Sequence, residues 1–234
     1  MKIALIGDVH GGRSASVSAI YAAKEEGAER IIFLGDFGYD FSSTFVGELA
    51  DASRDTGLII DWIDGNHEDF DFLESVGFDL SDRFKYHKRG SVEEIDGVRF
   101  MFLGGASSVD RQARTPHVSW WPQESLTDTD IAQACKNGTV DVILSHDAPH
   151  LPPMMDDATA PFPRIDLLIS QLHRVKYGVI YNNAHPSYVF HGHYHVLYEH
   201  TYDEWWGPVK VTGLNCSGYT MAGYVRIIDT EDLK

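Results

Sequence analysis

The chain has 234 residues, of which 43% are apolar and 23% charged, with a formal net charge of −16. That is ordinary material for one large globular domain, and it excludes a disordered or fibrous chain. The acid excess argues against a long polyanion such as duplex DNA as partner, because no Lys/Arg cluster offsets it, whereas a small phosphorylated substrate whose charge is met by metal ions remains compatible.

Residues 1–6 hold one basic side chain and are too short for a secretory signal. No apolar stretch reaches the ~18–20 residues of a membrane span, so a soluble, cytoplasmic protein without a membrane partner is expected. Cys135 and Cys216 stand far apart and outside any Cys-x-x-Cys spacing, which reads as reduced, mostly buried thiols with no catalytic role. With no repeat and no linker, residues 1–234 are read as a single domain.

In chain order, residues 3–6 predict a buried strand. Residues 13–26, alanine-rich with Val17, Ile20 and Tyr21 at helical spacing and Gly27 as a stop, predict a crossover helix. Residues 31–34 predict a second strand, 43–56 a helix, 58–63 a third strand and 69–76 a short helix. Residues 92–95 and 98–103 flank Asp96-Gly97, a hairpin signal that brings antiparallel pairing into the sheet. Residues 104–124, with Arg111, Arg114 and Trp120-Trp121, show no period, and a structureless run of that length is a candidate functional loop. A helix is predicted over 126–137, a strand over 140–144, a proline-bearing loop through Pro163, a helix over 164–175 and a strand over 188–190. Strands over 196–202, 209–214 and 224–228 are assigned to a second sheet.

Five predicted strands end in one kind of punctuation: Gly7-Asp8-Val9-His10, Gly35-Asp36, Gly65-Asn66-His67-Glu68, Ser145-His146-Asp147 and Gly192-His193-Tyr194-His195. Residues two apart on an extended segment face one way, and the C-terminal mouths of strands are where an open α/β sheet presents ligands. Imidazole, carboxylate and amide oxygen without thiolate suit Mn²⁺, Fe²⁺ or Zn²⁺ better than a structural zinc site.

The series Asp-x-His, Gly-Asp, Gly-Asn-His-(Asp/Glu), a lone His and Gly-His-x-His resembles the calcineurin-like metallophosphoesterases, and all five blocks stand here in order between residues 8 and 195. The resemblance implies an α/β fold, a four-layered α/β/β/α sandwich of two mixed β-sheets. It implies two divalent ions, Mn²⁺ first with Fe²⁺, Zn²⁺ or Ni²⁺ as alternatives, holding a bridging hydroxide for attack at phosphorus. Asp8, His10, Asp36 and His195 would hold one ion, and Asp36, Asn66, His146 and His193 the other, with Asp36 as the bridge. His67 would meet the phosphate or protonate the leaving oxygen, with Asp40 or Glu68 as candidates to hold its tautomer. Residues 104–124 also resemble a Gly-Gly-Ala…Asp…Arg…Ser-Trp-Trp-Pro segment of some bacterial and phage-type members.

Asn66, Arg111 and Arg114 are candidate substrate contacts, a solvated loop charge being an equal reading for the two arginines. Trp120-Trp121 is read as packing before base stacking, and Tyr39 and Phe41 line or cover the pocket. His87, His117, His150, His173, His185 and His200 are read as surface or hydrogen-bonded residues, and His191 as a support of the ligands. The expected activity is hydrolysis of a small phosphodiester such as a 2′,3′-cyclic nucleotide. A phosphomonoesterase, a phosphoprotein phosphatase, a catalytically silent scaffold and a repair-type nuclease are the alternatives. Gly35-Asp36-Phe37-Gly38-Tyr39-Asp40 lacks the Arg of the Gly-Asp-x-Val-Asp-Arg-Gly block of protein serine/threonine phosphatases, which argues against a phosphoprotein substrate. The filled ligand positions and intact His67 argue against a scaffold, and the acidity against a nuclease.

Overall fold

Apolar residues fill both faces of the first strands. In β1 (Lys2–Ile6) Ala4 and Ile6 pack into one layer and Ile3 and Leu5 into another, and β2 (Arg30–Leu34) divides Ile31 and Phe33 from Ile32 and Leu34 in the same way. A strand buried on both faces needs cover on both sides. The computed structural model, which describes residues 1–39 and 41–234, provides it as four layers.

The remaining elements of the first half are α1 (Arg13–Glu25), α2 (Ser43–Thr56), β3 (Ile60–Ile63), α3 (Phe70–Ser75), β4 (Phe84–Tyr86), β5 (Ser91–Ile95) and β6 (Val98–Leu103). The second half adds α4 (Asp128–Cys135), β7 (Val142–Ser145), α5 (Arg164–Ala184), β8 (Tyr188–His191), β9 (Tyr198–Glu204), β10 (Gly207–Gly213), α6 (Met221–Tyr224) and β11 (Val225–Asp229). The first sheet runs β11-β1-β2-β3-β4, parallel except for β11 against β1. The second runs β5-β6-β7-β8-β10-β9, with antiparallel pairs at both edges and parallel pairs between. Both sheets are mixed. The β5–β6 hairpin closes through Asp96 and Gly97, both at positive φ (52° and 80°), the twist that a two-residue hairpin turn requires.

Ile20, Leu49 and Leu73 of α1, α2 and α3 pack on Phe33 and Trp62. Between the sheets, Leu5, Ile32 and Ile63 meet Phe100, Val142 and Phe190. On the far side, Ala134 of α4 and Tyr177, Ile180 and Tyr181 of α5 cover Met101, Ile143 and Val189. Helix ends carry local signals: Ser42 accepts from Phe45 N at the start of α2, Gly57 ends it at φ 77°, and Thr127 and Asp130 form a capping box on α4. No helix among the described residues is long and apolar enough to cross a membrane.

Three elements depart from the sequence expectation. Residues 225–229 join the first sheet, not the second, pairing Ile3 with Ile228 and Ile6 with Val225. Residues 84–86 form an unforeseen edge strand on β3. Helix α5 continues past Val175 to Ala184, because Tyr177, Ile180, Tyr181 and Ala184 are buried against the second sheet and outweigh the ~1 kcal/mol helix cost of Gly178.

A polar seam crosses from one sheet to the other where apolar pairing would be expected. Arg30 on β2 donates to Asp61 on β3 at 2.7 and 2.9 Å and to Glu93 on β5 at 2.7 and 3.0 Å, and Lys85 Nζ donates to Glu93 at 2.7 Å. Hydrogen bonds from Arg30, then Lys85, push the Glu93 carboxyl from 4.5 down to about 2. A carboxyl depressed by folding stabilises fully above its unfolded value, and that stabilisation is lost as pH falls through the folded value. Glu93→Gln is therefore expected to lower the thermal midpoint at pH 7. The gap to wild type should narrow as pH drops below 4.5 towards about 2 in a pH series of calorimetric scans. A gap independent of pH would contradict the assignment.

Candidate metal centre and active site

The C-terminal ends of β1, β2 and β3 meet those of β7 and β8 at one edge of the sandwich, and each delivers one block of the motif series. Their loops interlock through the backbone. Asp36 O accepts from Val9 N (3.2 Å) and His10 N (2.8 Å), while Asp36 Oδ1 accepts from Asn66 N and His67 N, both at 2.9 Å. His193 N donates to both carboxylate oxygens of Asp8 at 3.1 and 3.0 Å. His10, Asp36, His193 and His195 all sit at positive φ (49°, 46°, 68° and 53°), a conformation that costs free energy in residues with a Cβ and clusters at functional sites. All four motif glycines are sterically required; among them, a Cβ on Gly65 would overlap Asp36 Oδ1, and one on Gly192 would overlap Asp8 Oδ1.

One side chain each from Asp8, His10, Asp36 and His195 offers a ligand atom such that all four lie within 4.8 Å of one another. His195 Nε2 stands 3.0 Å from Asp8 Oδ2 and 3.0 Å from His10 Nε2. His10 Nδ1 is buried, 3.6 Å from Asp36 Oδ2, and has no hydrogen-bond partner among the described residues. Two imidazole nitrogens facing each other and a buried orphan nitrogen beside a carboxylate are what a cation between them would resolve. Next to this cluster, His146 Nε2 faces Asp36 Oδ1 (3.3 Å) and Asn66 Oδ1 (3.1 Å), and its Nδ1 donates to Leu34 O at 2.8 Å, which leaves Nε2 free for a ligand. The His193 ring lies 5.1 Å from that of His146. The donor set fits divalent metal. Asp36, 1% exposed, touches both groups of residues.

Burial opposes ionisation of Asp36, yet His146, His67 and His10 hold it well below the usual carboxylate range. Burial likewise opposes a charge on His146, but Asp36 outweighs it and lifts the imidazole to about 10. Burial, then the Asp36 charge, pushes Glu68 well above its ordinary value.

His67 is adjacent to the cluster, with Nε2 3.9 Å from Asp36 Oδ2. Among the described residues its ring's hydrogen-bond partner is a cation: Arg114 Nη2 donates to His67 Nε2 at 2.8 Å. Burial first, with Arg114 and His10 adding to it, brings His67 down to about 4. Glu68 does not hold its ring but ties the loops, accepting from Phe37 N (2.7 Å) and Gly65 N (2.8 Å). Asp40, the other candidate, lies outside the described residues. Tyr39 stacks on His10 and meets His67 edge-on, whereas Phe41 belongs to the core with Trp62 and Phe37.

The two arginines of residues 104–124 part company. Arg114 reaches the site and is tied to Asp110 at 2.8 Å. Arg111 turns away, donating to buried Asp166 of α5 at 3.2 Å and lying over Trp120 at 5.7 Å. The same segment carries supports that sequence reasoning missed. Asn66 Nδ2 donates to Ser108 Oγ (3.0 Å), Ser108 donates to Glu124 through Oγ (2.7 Å) and N (2.9 Å), and Trp120 Nε1 donates to Glu124 at 2.7 Å. Burial pushes Glu124 up to about 7. Arg89 clamps the end of the segment, joining Asp64 to the carbonyls of Gln123, Glu124 and Ser125. The small residues at 104–108 were the signal that this run lies tightly against other backbone. His173 pairs with Asp147 at 2.7 Å, His87 with Asp61 at 2.6 Å, and His191 with Tyr198 at 2.8 Å.

Gly192→Ala removes no ligand atom but displaces Asp8. The variant is expected to lose about 10–100-fold in affinity for Mn²⁺, read by elemental analysis after desalting and by titration, while the apo protein keeps its circular dichroism spectrum. Undiminished metal retention would contradict this geometry.

The sequence profile of the calcineurin-like phosphoesterases matches residues 1–197. No curated protein sequence matches the chain. Among solved structures, a dimetal phosphatase from Danio rerio is similar at 14% identity and TM-score 0.61, over 97% of this chain and 91% of its own. A protein of Thermus thermophilus is similar at 12% identity and TM-score 0.57, over 97% and 98% of the two chains. An archaeal phosphodiesterase matches over 100% and 96% at 18% identity and TM-score 0.49. At such identities the likeness is one of fold. The family match and the ligand cluster together identify the chain: it belongs to the calcineurin-like phosphoesterases, phosphoric ester hydrolases built on a dinuclear metal centre.

Proposed function

We propose that the chain is a Mn²⁺-dependent phosphodiesterase acting in the cytoplasm on small organic diesters, 2′,3′-cyclic nucleotides among them. The observation that carries this reading is the placement of guanidinium-bonded His67 at the edge of the Asp8-His10-Asp36-His195 cluster, in a cavity of about 550 Å³. The cavity is bordered by His67 and Arg114 as well as by His193 and His195, so a phosphorus centre with two ester groups finds room for both.

When bound, two divalent ions supply a nucleophilic water at neutral pH and neutralise the phosphoryl oxygens. Asp8, His10, Asp36 and His195 would hold one ion and Asp36, Asn66, His146 and His193 the other. The chain's own work is positioning and proton transfer. Ser108 fixes the Asn66 amide so that its oxygen faces His146, and the loop hydrogen bonds to Asp36 keep the ligand arms in register. Arg114 N–H groups meet the phosphate anion; as they turn to it, His67 Nε2 is released beside the anion, takes up the proton given up by the attacking water and passes it to the leaving oxygen.

Hydrolysis of bis-p-nitrophenyl phosphate tests the reading. Turnover is expected with Mn²⁺, to vanish on chelation, and to fall about 10²–10⁴-fold in kcat for His67→Ala with metal content unchanged. Turnover indifferent to chelation or to His67→Ala would overturn it.

A further inference from the structure

The cavity has two unlike halves. Asp36, Asn66, His67, His193 and His195 make the polar one. The other is walled by the coil between β7 and α5, where Leu151, Met154, Met155 and Phe162 join Leu167 of α5. Met154 and Phe162 are 58% and 41% exposed, large apolar groups presented to solvent beside a highly polar centre. The wall is anchored: Asp157 is paired to Arg174 and accepts from Gln171 Nε2 at 3.0 Å, and Arg164 donates to the carbonyls of Asp157 (3.1 Å) and Ala158 (3.0 Å).

Charge in the outer part of the cavity points the same way. Among the described residues lining it, Arg114 is bonded to Asp110 and Arg174 to Asp157, and Asp156 adds a third carboxylate. Arg174 is committed to Asp157 and Arg114 serves the reacting phosphate, so acid is in excess in the outer part and a second anionic group there would meet repulsion. A neutral apolar group would instead cover Met154 and Phe162, and a flat ring gains sulfur–aromatic and ring–ring contact with them.

We infer that residues 151–162 form a subsite for an uncharged, flat apolar substituent of the phosphodiester, the ester group that remains on phosphorus. This rests on the phosphodiesterase reading above and narrows its substrate class to diesters without a second phosphate or carboxylate. In the reaction the oxygen of water forms the new bond to phosphorus and the bond to the leaving oxygen breaks. The proton released from water is balanced by the one delivered to the leaving alcohol beside His67. The product is a phosphate monoester still carrying the apolar group.

Binding separates the subsite from the chemistry. Calorimetric titration of the Mn²⁺-loaded protein with diphenyl phosphate and dimethyl phosphate is expected to show about tenfold or greater preference for the diphenyl ester. Bis(4-carboxyphenyl) phosphate should bind at least about fivefold more weakly than diphenyl phosphate. Met154→Ser combined with Phe162→Ser, both exposed coil positions, should abolish the diphenyl preference and leave dimethyl phosphate within about twofold. Equal binding of the two esters by wild type, or an equal loss of both in the variant, would overturn the inference. Parallel turnover of phenyl and methyl p-nitrophenyl phosphate keeps the two claims apart: selective binding without hydrolysis of either ester sinks the diesterase reading and supports the subsite.

Discussion

The carboxylate of Asp36 is buried at the junction of two sheets, accepts two backbone N–H groups through Oδ1 and faces the imidazoles of His10, His67 and His146. An ionised group in that position is tolerated only when donors and positive charge surround it. The rest of the edge is arranged to meet that demand. Asp36 takes a positive φ, Gly65 leaves room for its Oδ1, and its carbonyl pins the Asp8–His10 turn. A divalent ion among Asp8, His10, Asp36, His146 and His195 would supply that positive charge.

Around this centre lies a second set of polar groups that fixes the ligand arms. Glu68 joins the loops after β2 and β3, Ser108 and Glu124 orient Asn66, and the buried Arg89–Asp64 pair ties residues 123–125 to the end of β3. These contacts explain how a segment whose regular structure is limited to short 3-10 turns at 111–113 and 122–124, residues 104–124, contributes to a rigid site. It is held by two buried carboxylates, Glu124 and Asp166, rather than by a sheet.

Much of this was legible in the sequence, for reasons that are themselves physical. Strands buried on both faces read as apolar runs, and the glycines before Asp36, Asn66 and His193 mark where a side chain would collide with a neighbouring imidazole or carboxylate. Helix α2 was bounded correctly at 43–56 because Ser42 and Gly57 are local signals. Non-local choices were not legible. Residues 225–229 have the composition of a strand, but nothing in them selects β1 as partner over the second sheet. The end of α5 depends on Tyr177 and Ile180 finding a sheet to cover. Arg111 and Arg114, three residues apart in one loop, could not be told apart until Asp166 and His67 were placed. Glu124 gave no sign of its role, since its partners Ser108 and Trp120 are assembled by the fold of the loop.

Sharing of Asp36 between two metal ions at this edge is tested most directly by anomalous diffraction from crystals grown with Mn²⁺. Two peaks are expected to flank the Asp36 carboxylate, one among Asp8, His10 and His195 and one among Asn66, His146 and His193. A single ion, or ions bound away from Asp36, would contradict a shared carboxylate.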